Sequence, residues 1–264
     1  MRPIHIHPRQ HVLALLPLLL AGCAPAAPPA PTATPAPPAP IVLELSAPGA
    51  TRSFTMEELQ ALPATEGQGG WMSSTGKITV PALYRGVALK DLAPLLDVGL
   101  DASMGLTLTA DDGYSMTFSF DQVANGAFTA YDPGTGKEMG THDPLTAILA
   151  YARDGQALDP KEDGALRVQV VSETNNQVVD GHWSIKWVTR AEIVPVGADW
   201  SVELQGALTD DVDRASFQSC SAPSCHGVDW KDEMAQPWAG VPLWHLVGQV
   251  ADDLAHGDDG YNEG

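Results

Sequence analysis

The sequence predicts an α+β fold, a mixed β-sheet with few and short helices. Three observations carry that reading. Residues 166–172 and 184–194 read as two strands, the first β-branched and alternating apolar with polar residues, as a half-buried strand does. Asp111-Asp112-Gly113 is a turn signal between strands at 105–110 and 114–120, and Arg153-Asp154-Gly155 turns a second hairpin that begins with 145–151. Helix signals are confined to short stretches.

In chain order, residues 41–45 read as the first strand. Thr55 and Glu58 then form a capping box, in which each side chain satisfies the other's backbone amide, and the helix runs through Leu62 to stop at Pro63. Residues 64–76 are rich in Gly and Ser, and the chain turns extended at 78–80. A second helix is expected over 87–96, with Leu89, Leu92, Leu95 and Leu96 on one face. Between 166–172 and 184–194 a polar loop turns at Asp180-Gly181 and delivers His182, Ser184 and Lys186 to one rim of the sheet. An imidazole, a hydroxyl and an ammonium can each donate to phosphate oxygens, so this corner is a candidate anion site. Trp183, Trp187, Trp238 and Trp244 are expected in the core.

Ahead of this lies an export signal. Arg2 and Arg9 precede an apolar run, VLALLPLLL at 12–20, followed by Leu20-Ala21-Gly22-Cys23. The run is too short to span a bilayer, for which about twenty residues are needed. The four residues form a lipobox, in which small residues admit the signal peptidase and the Cys23 thiol takes the lipid. Residues 1–22 are thus a lipoprotein signal peptide, and the expected protein is extracytoplasmic and tied to a bacterial membrane through Cys23. Residues 23–40 are almost entirely Ala, Pro and Thr, a stiff extended tether that nothing can pack.

The formal charge is −19, from 14 basic and 33 acidic residues. Phosphates would be repelled over most of such a surface, which excludes nucleic acid as a partner. Lys77, Arg85, Arg167, Lys186 and Arg190 stand out as local exceptions.

Three segments together carry a resemblance: TMEEL at 55–59 with Leu62-Pro63, YRGVAL at 84–89 with Asp91-Leu92, and GHWSIKWVTR at 181–190. In order and spacing they resemble the molybdopterin-binding oxidoreductase domain of the sulfite oxidase type, over residues 41–196. The resemblance implies that fold, molybdopterin as cofactor, a redox partner protein, and a pterin phosphate held by Ser184 and Lys186, with His182 a weaker match. It also implies a cysteine thiolate on the metal from residues 64–76, and that stretch contains no cysteine. Soft thiolate is the donor such a metal takes, and Ser73 and Ser74 are not equivalent. An oxidoreductase and a non-catalytic ligand- or partner-binding module of the same fold both stay open.

Residues 197–264 read as a partial second copy. WAGVPLWHL at 238–246 echoes 84–92, residues 200–204 echo 41–45, and 213–218 stand where the Thr55 helix would be. After Leu246 only 18 residues remain, so the expectation is a sequence that stops early, the alternative being a partial copy packed on the first domain.

This segment also holds CSAPSCHG at 220–227. Two cysteines followed by histidine suit covalent haem c, with Cys220 and Cys225 as anchors, His226 as axial ligand and Met234 or His245 as the sixth, although four residues separate the cysteines instead of two. An oxidising compartment equally favours a disulfide between Cys220 and Cys225. Another metal, with His245 and His256 beside His226, or free thiols, complete the alternatives. Asp252-Asp253 and Asp258-Asp259 fit no standard calcium loop.

Overall fold

The computed structural model describes residues 38–251, apart from Ala198 and Ser224. The signal peptide, Cys23, His256 and the acidic run at 252–259 lie outside the described residues. The elements are β1 Ile41–Ala47, β2 Ala50–Thr55, α1 Met56–Gln60, β3 Thr65–Met72, β4 Ile78–Ala88, β5 Met104–Ala110, β6 Ser115–Ser119 and β7 Ala130–Tyr131. There follow β8 Thr146–Arg153, β9 Gln156–Ala157, β10 Arg167–Val171, β11 Val178–Asp180 and β12 Val188–Pro195. The C-terminal part adds β13 Ser201–Gln205, β14 Thr209–Asp213, α2 Arg214–Cys220, β15 Val228–Lys231, β16 Pro237–Gly240 and α3 Leu243–Ala251. The class is α+β, mostly strands with few short helices.

Two sheets build the main body. One has the order β2-β1-β12-β5-β6; the other runs β10-β8-β4-β3-β11-β7, with β9 beside β8. Both are mixed, because β1 pairs with β12 and β11 with β3 in parallel while their other pairings are antiparallel. Leu43, Leu45, Phe54, Leu106, Leu108, Met116 and Phe118 are fully buried in one continuous apolar core with Leu89, Leu166 and Val168. The Thr55–Glu58 capping box forms as expected, both reciprocal bonds included.

Three local expectations are corrected, and one stretch left without an element gains one. Residues 64–76, rich in Gly and Ser, hold β3, a central strand of the second sheet. Its glycines are needed for close approach, since a Cβ on Gly69 would lie 2.6 Å from Gln169 Cγ and 2.8 Å from the Val170 carbonyl. That approach lets Gln68 and Ser172 exchange backbone hydrogen bonds of 2.7 and 2.9 Å, so β3, β4, β8 and β10 close on themselves. The helix expected over 87–96 is instead the end of β4 and two 3₁₀ turns, Leu89–Asp91 and Ala93–Leu96. Pairing of Gly86, Val87 and Ala88 with β8 holds the first residues in the sheet. Burial of Leu89 and Leu92 then satisfies the apolar pattern without an α-helix.

Residues 166–172 are not half-buried, for all five residues of β10 are buried. The second strand begins only at Val188, because Trp187 turns the chain at φ +51°. The two strands lie in different sheets, yet the 185–188 segment still bonds β10's flank: Val168 N–H donates to Ile185 and Val188 N–H to Leu166.

After β12 the element order is hairpin, helix, hairpin, helix. The chain's start has the same order, with two 3₁₀ turns in the last place. Asp213 caps α2 as Thr55 caps α1. Helix α2 packs on β6: Thr117 N–H donates to Gln218 Oε1 (3.1 Å), Gln218 Nε2 donates to Thr117 Oγ1, and Arg214 donates to the Thr117 carbonyl. Of the tryptophans expected in the core, Trp183 is buried there, but Trp238 and Trp244 are 53% and 49% exposed.

Candidate functional site

Strands β3 and β11 run parallel, with Val179 opposite Trp71 and Asp180 opposite Met72. The chain therefore leaves both carboxyl ends side by side, as Ser73-Ser74 from one and Gly181-His182 from the other. Gly181 suits this approach, for a Cβ would stand 3.0 Å from the Met72 carbonyl oxygen, a tight contact. A 3₁₀ turn, Gly181–Trp183, follows at once. Asp180 caps it by accepting from the His182 amide. The same carboxylate meets His182 Nδ1 at 2.6 Å. Burial pushes the Asp180 carboxyl up, but the hydrogen bonds and charge of His182 more than offset this and hold it below the usual carboxylate range. Trp183 anchors the turn in the core against Phe118 and Phe128, at ring distances of 4.9 and 5.7 Å.

Two clefts adjoin this corner. The larger, of about 370 Å³, has Ser73, Ser74, Tyr114, His182, Ser219 and Cys220 among its lining residues. His182 Nε2 is buried with no hydrogen-bond partner among the described residues. Tyr114 and Ser219 are hydrogen-bonded at 2.9 Å; burial pushes the Tyr114 phenol up to about 12, so it stays protonated. Burial likewise pushes the Cys220 thiol up to about 11. The smaller cleft, of about 200 Å³, is bordered by Asp112, Ser184, Lys186 and Trp187, and it shares Tyr114 and Gly181 with the larger one.

Ser184 is also committed inward. Fully buried Arg167 donates to Ser184 Oγ and to Asp163 Oδ1, and Ser184 Oγ donates to Gln169 Oε1 (2.9 Å). The guanidinium lies 4.7 Å from the Trp71 ring and 5.4 Å from that of Tyr84. A serine hydroxyl has one proton to give, and here Gln169 takes it. Ser184 can thus accept from a ligand but not donate to one while this network holds.

The expected corner therefore divides, with Ser184 and Lys186 on the small cleft and His182 on the large one. Lys186 Nζ sits 5.5 Å from the Trp187 ring. Cys220 and Cys225 are free thiols, with Cys220 half-buried on the large cleft and Cys225 exposed. His226 stacks on His245 at 4.1 Å, while Met234 is exposed. Among the described residues no three of His, Cys, Asp or Glu gather so as to hold a metal ion. Sequence reasoning gave no site role to Tyr114, took Asp180 only as a turn residue, and took Arg167 only as one of a few scattered cations. The Asp-x-His spacing at 180–182 was the available signal for one of them, being that of a side chain capping the amide two residues on.

No family model matches the chain, and no curated protein does. Among solved structures it is similar to the sulfane dehydrogenase SoxCD from Paracoccus pantotrophus, at 17% identity and a TM-score of 0.43. The match covers 75% of this chain and 43% of that one, and is a likeness of fold alone.

Proposed function

We propose that the chain is an extracytoplasmic lipoprotein, anchored through Cys23, whose folded part binds molybdopterin in the paired clefts. The observation that carries the reading is their shared wall of Tyr114 and Gly181. One compartment offers the Lys186 ammonium to an anionic group, and the other offers hydroxyls and an imidazole to a polar heterocycle.

The residues fit the pterin better than they fit its metal. Lys186 would hold the phosphate, and Ser184 would only accept. Tyr114, protonated, would donate to the heterocycle, with His182 oriented for it by Asp180. Bound with its metal, molybdopterin supplies two-electron redox chemistry. The β3 end, however, presents the hydroxyls of Ser73 and Ser74, and no thiol comes from 64–76. Ligand binding is accordingly the reading we adopt, ahead of catalysis. A haem at Cys220 and Cys225 gains no support from the described geometry.

The test is to express the full chain in a host that makes molybdopterin, then denature and oxidise it and measure released pterin fluorescence. Wild type should release pterin, Lys186→Ala should release much less, and Asp112→Asn should retain at least as much. Wild type that releases none under cofactor supply overturns the reading.

A further inference from the structure

The two free cysteines suggest a second use of this region, for Cys220 borders the large cleft while Cys225 is not among its lining residues. Cys220 ends α2 and Cys225 lies in the turn that follows. The turn is fixed by its own backbone. Cys225 N–H donates to the Ala222 carbonyl at 2.9 Å, His226 N–H to that of Cys220 at 3.2 Å, and Gly227 N–H to that of Ala222 at 3.1 Å. Gly227 permits the closure, as a Cβ there would fall within 1.9 Å of the Ser221 carbonyl oxygen. The turn thus folds the chain back from Cys225 onto the end of α2 at Cys220, and both thiols are free. Bridging so short a loop constrains the unfolded chain less than a long loop would, which argues against a purely structural disulfide. Their exposure differs in a useful way, with Cys225 open to solvent and Cys220 half-buried.

We propose that Cys225 and Cys220 form a thiol–disulfide exchange site, with Cys225 the attacking thiol, Cys220 the resolving thiol, and a disulfide as substrate. The Cys225 thiolate attacks one sulfur of R–S–S–R, breaking that bond and forming Cys225–S–S–R with release of RS⁻. Cys220, losing its proton, attacks the Cys225 sulfur and displaces the second RS⁻. The cysteine pair is oxidised by two electrons and the substrate reduced to two thiols, the two RS⁻ taking up the two protons. Oxidation also withdraws the Cys220 thiol from the wall of the large cleft.

The full reduced chain is titrated with oxidised glutathione, and separately with disulfide-bonded insulin as a protein substrate. Products are trapped by alkylation and read by peptide mass mapping, so that Cys23 is scored separately. The expected result is joint conversion of Cys220 and Cys225 to an intramolecular disulfide. Cys220→Ser should accumulate a mixed disulfide on Cys225, and Cys225→Ser should react about tenfold or more slowly. The arm that reacts faster identifies the small or the protein disulfide as the preferred source. Equal rates for the two single variants overturn the assignment of roles; stable double glutathione adducts on wild type, with no internal disulfide, overturn the site. Pterin content plays no part in these readouts, so failure here is separate from failure of the binding reading.

Discussion

The first hairpin–helix–hairpin stretch and the C-terminal one share an order of elements and a capped helix start, but not an environment. In β1, Leu43 and Leu45 are fully buried; in β13, Val202 is 39% exposed. The difference lies in neighbours. Strand β1 has β2 on one side and β12 on the other, whereas β13 pairs only with β14 among the described residues. Local sequence suffices to set turns, caps and strand direction, but burial is supplied by what packs from elsewhere in the chain.

Four substitution experiments and a titration would break or sharpen this contrast. The largest effect is expected at Arg167, whose removal strands the buried Asp163 carboxylate and frees Ser184 and Gln169. Arg167→Met should cost about 3–5 kcal/mol in denaturant unfolding of the full chain. Next, Leu43→Ala should cost about 2–5 kcal/mol, while Val202→Ala should stay within about 0.5 kcal/mol; equal values would show β13 to be covered. Gly69→Ala places a methyl against Gln169 and the Val170 carbonyl and should cost about 1–3 kcal/mol. Gly240→Ala meets nothing closer than 3.8 Å and should be near neutral in the same melt. Thr55→Ala and Asp213→Ala each lose one cap bond and should cost about 1 kcal/mol alike, since capping is local.

The smallest effect is the pH response of Asp180. Its folded-state carboxyl lies below the ordinary value, so its contribution is complete above the ordinary carboxylate range and is lost as pH falls through the depressed value. Unfolding measured against pH should show Asp180→Asn flattening the acid limb, and an unchanged limb would place the dependence elsewhere.

Much of the fold was legible because it is written locally. The Thr55–Glu58 box, the turn at Asp111-Asp112-Gly113 and the strands flanking it follow from residues a few positions apart. Strand β3 was hidden for the opposite reason. Its glycines answer to Gln169 and Val170, about a hundred residues away in sequence, and glycine by itself reads as a break. The site was half legible in the same sense. His182, Ser184 and Lys186 stand on the loop where they were expected, but the proton of Ser184 is taken by Gln169, and no periodicity could announce Arg167 as a buried cation. Tyr114 and Cys220 reach one cleft only because α2 folds onto β6.

That docking has a consequence for how the molecule behaves among its own copies. A strand at the rim of a sheet is a template, and its unpaired amides and carbonyls will accept any extended chain that arrives. At Thr117 the outward amide is answered by the side-chain carbonyl of Gln218 and the outward carbonyl by Arg214. Two side chains of a helix thus stand in for a further strand that β6 lacks among the described residues, and they occupy the amide and carbonyl at Thr117 that an incoming chain would need.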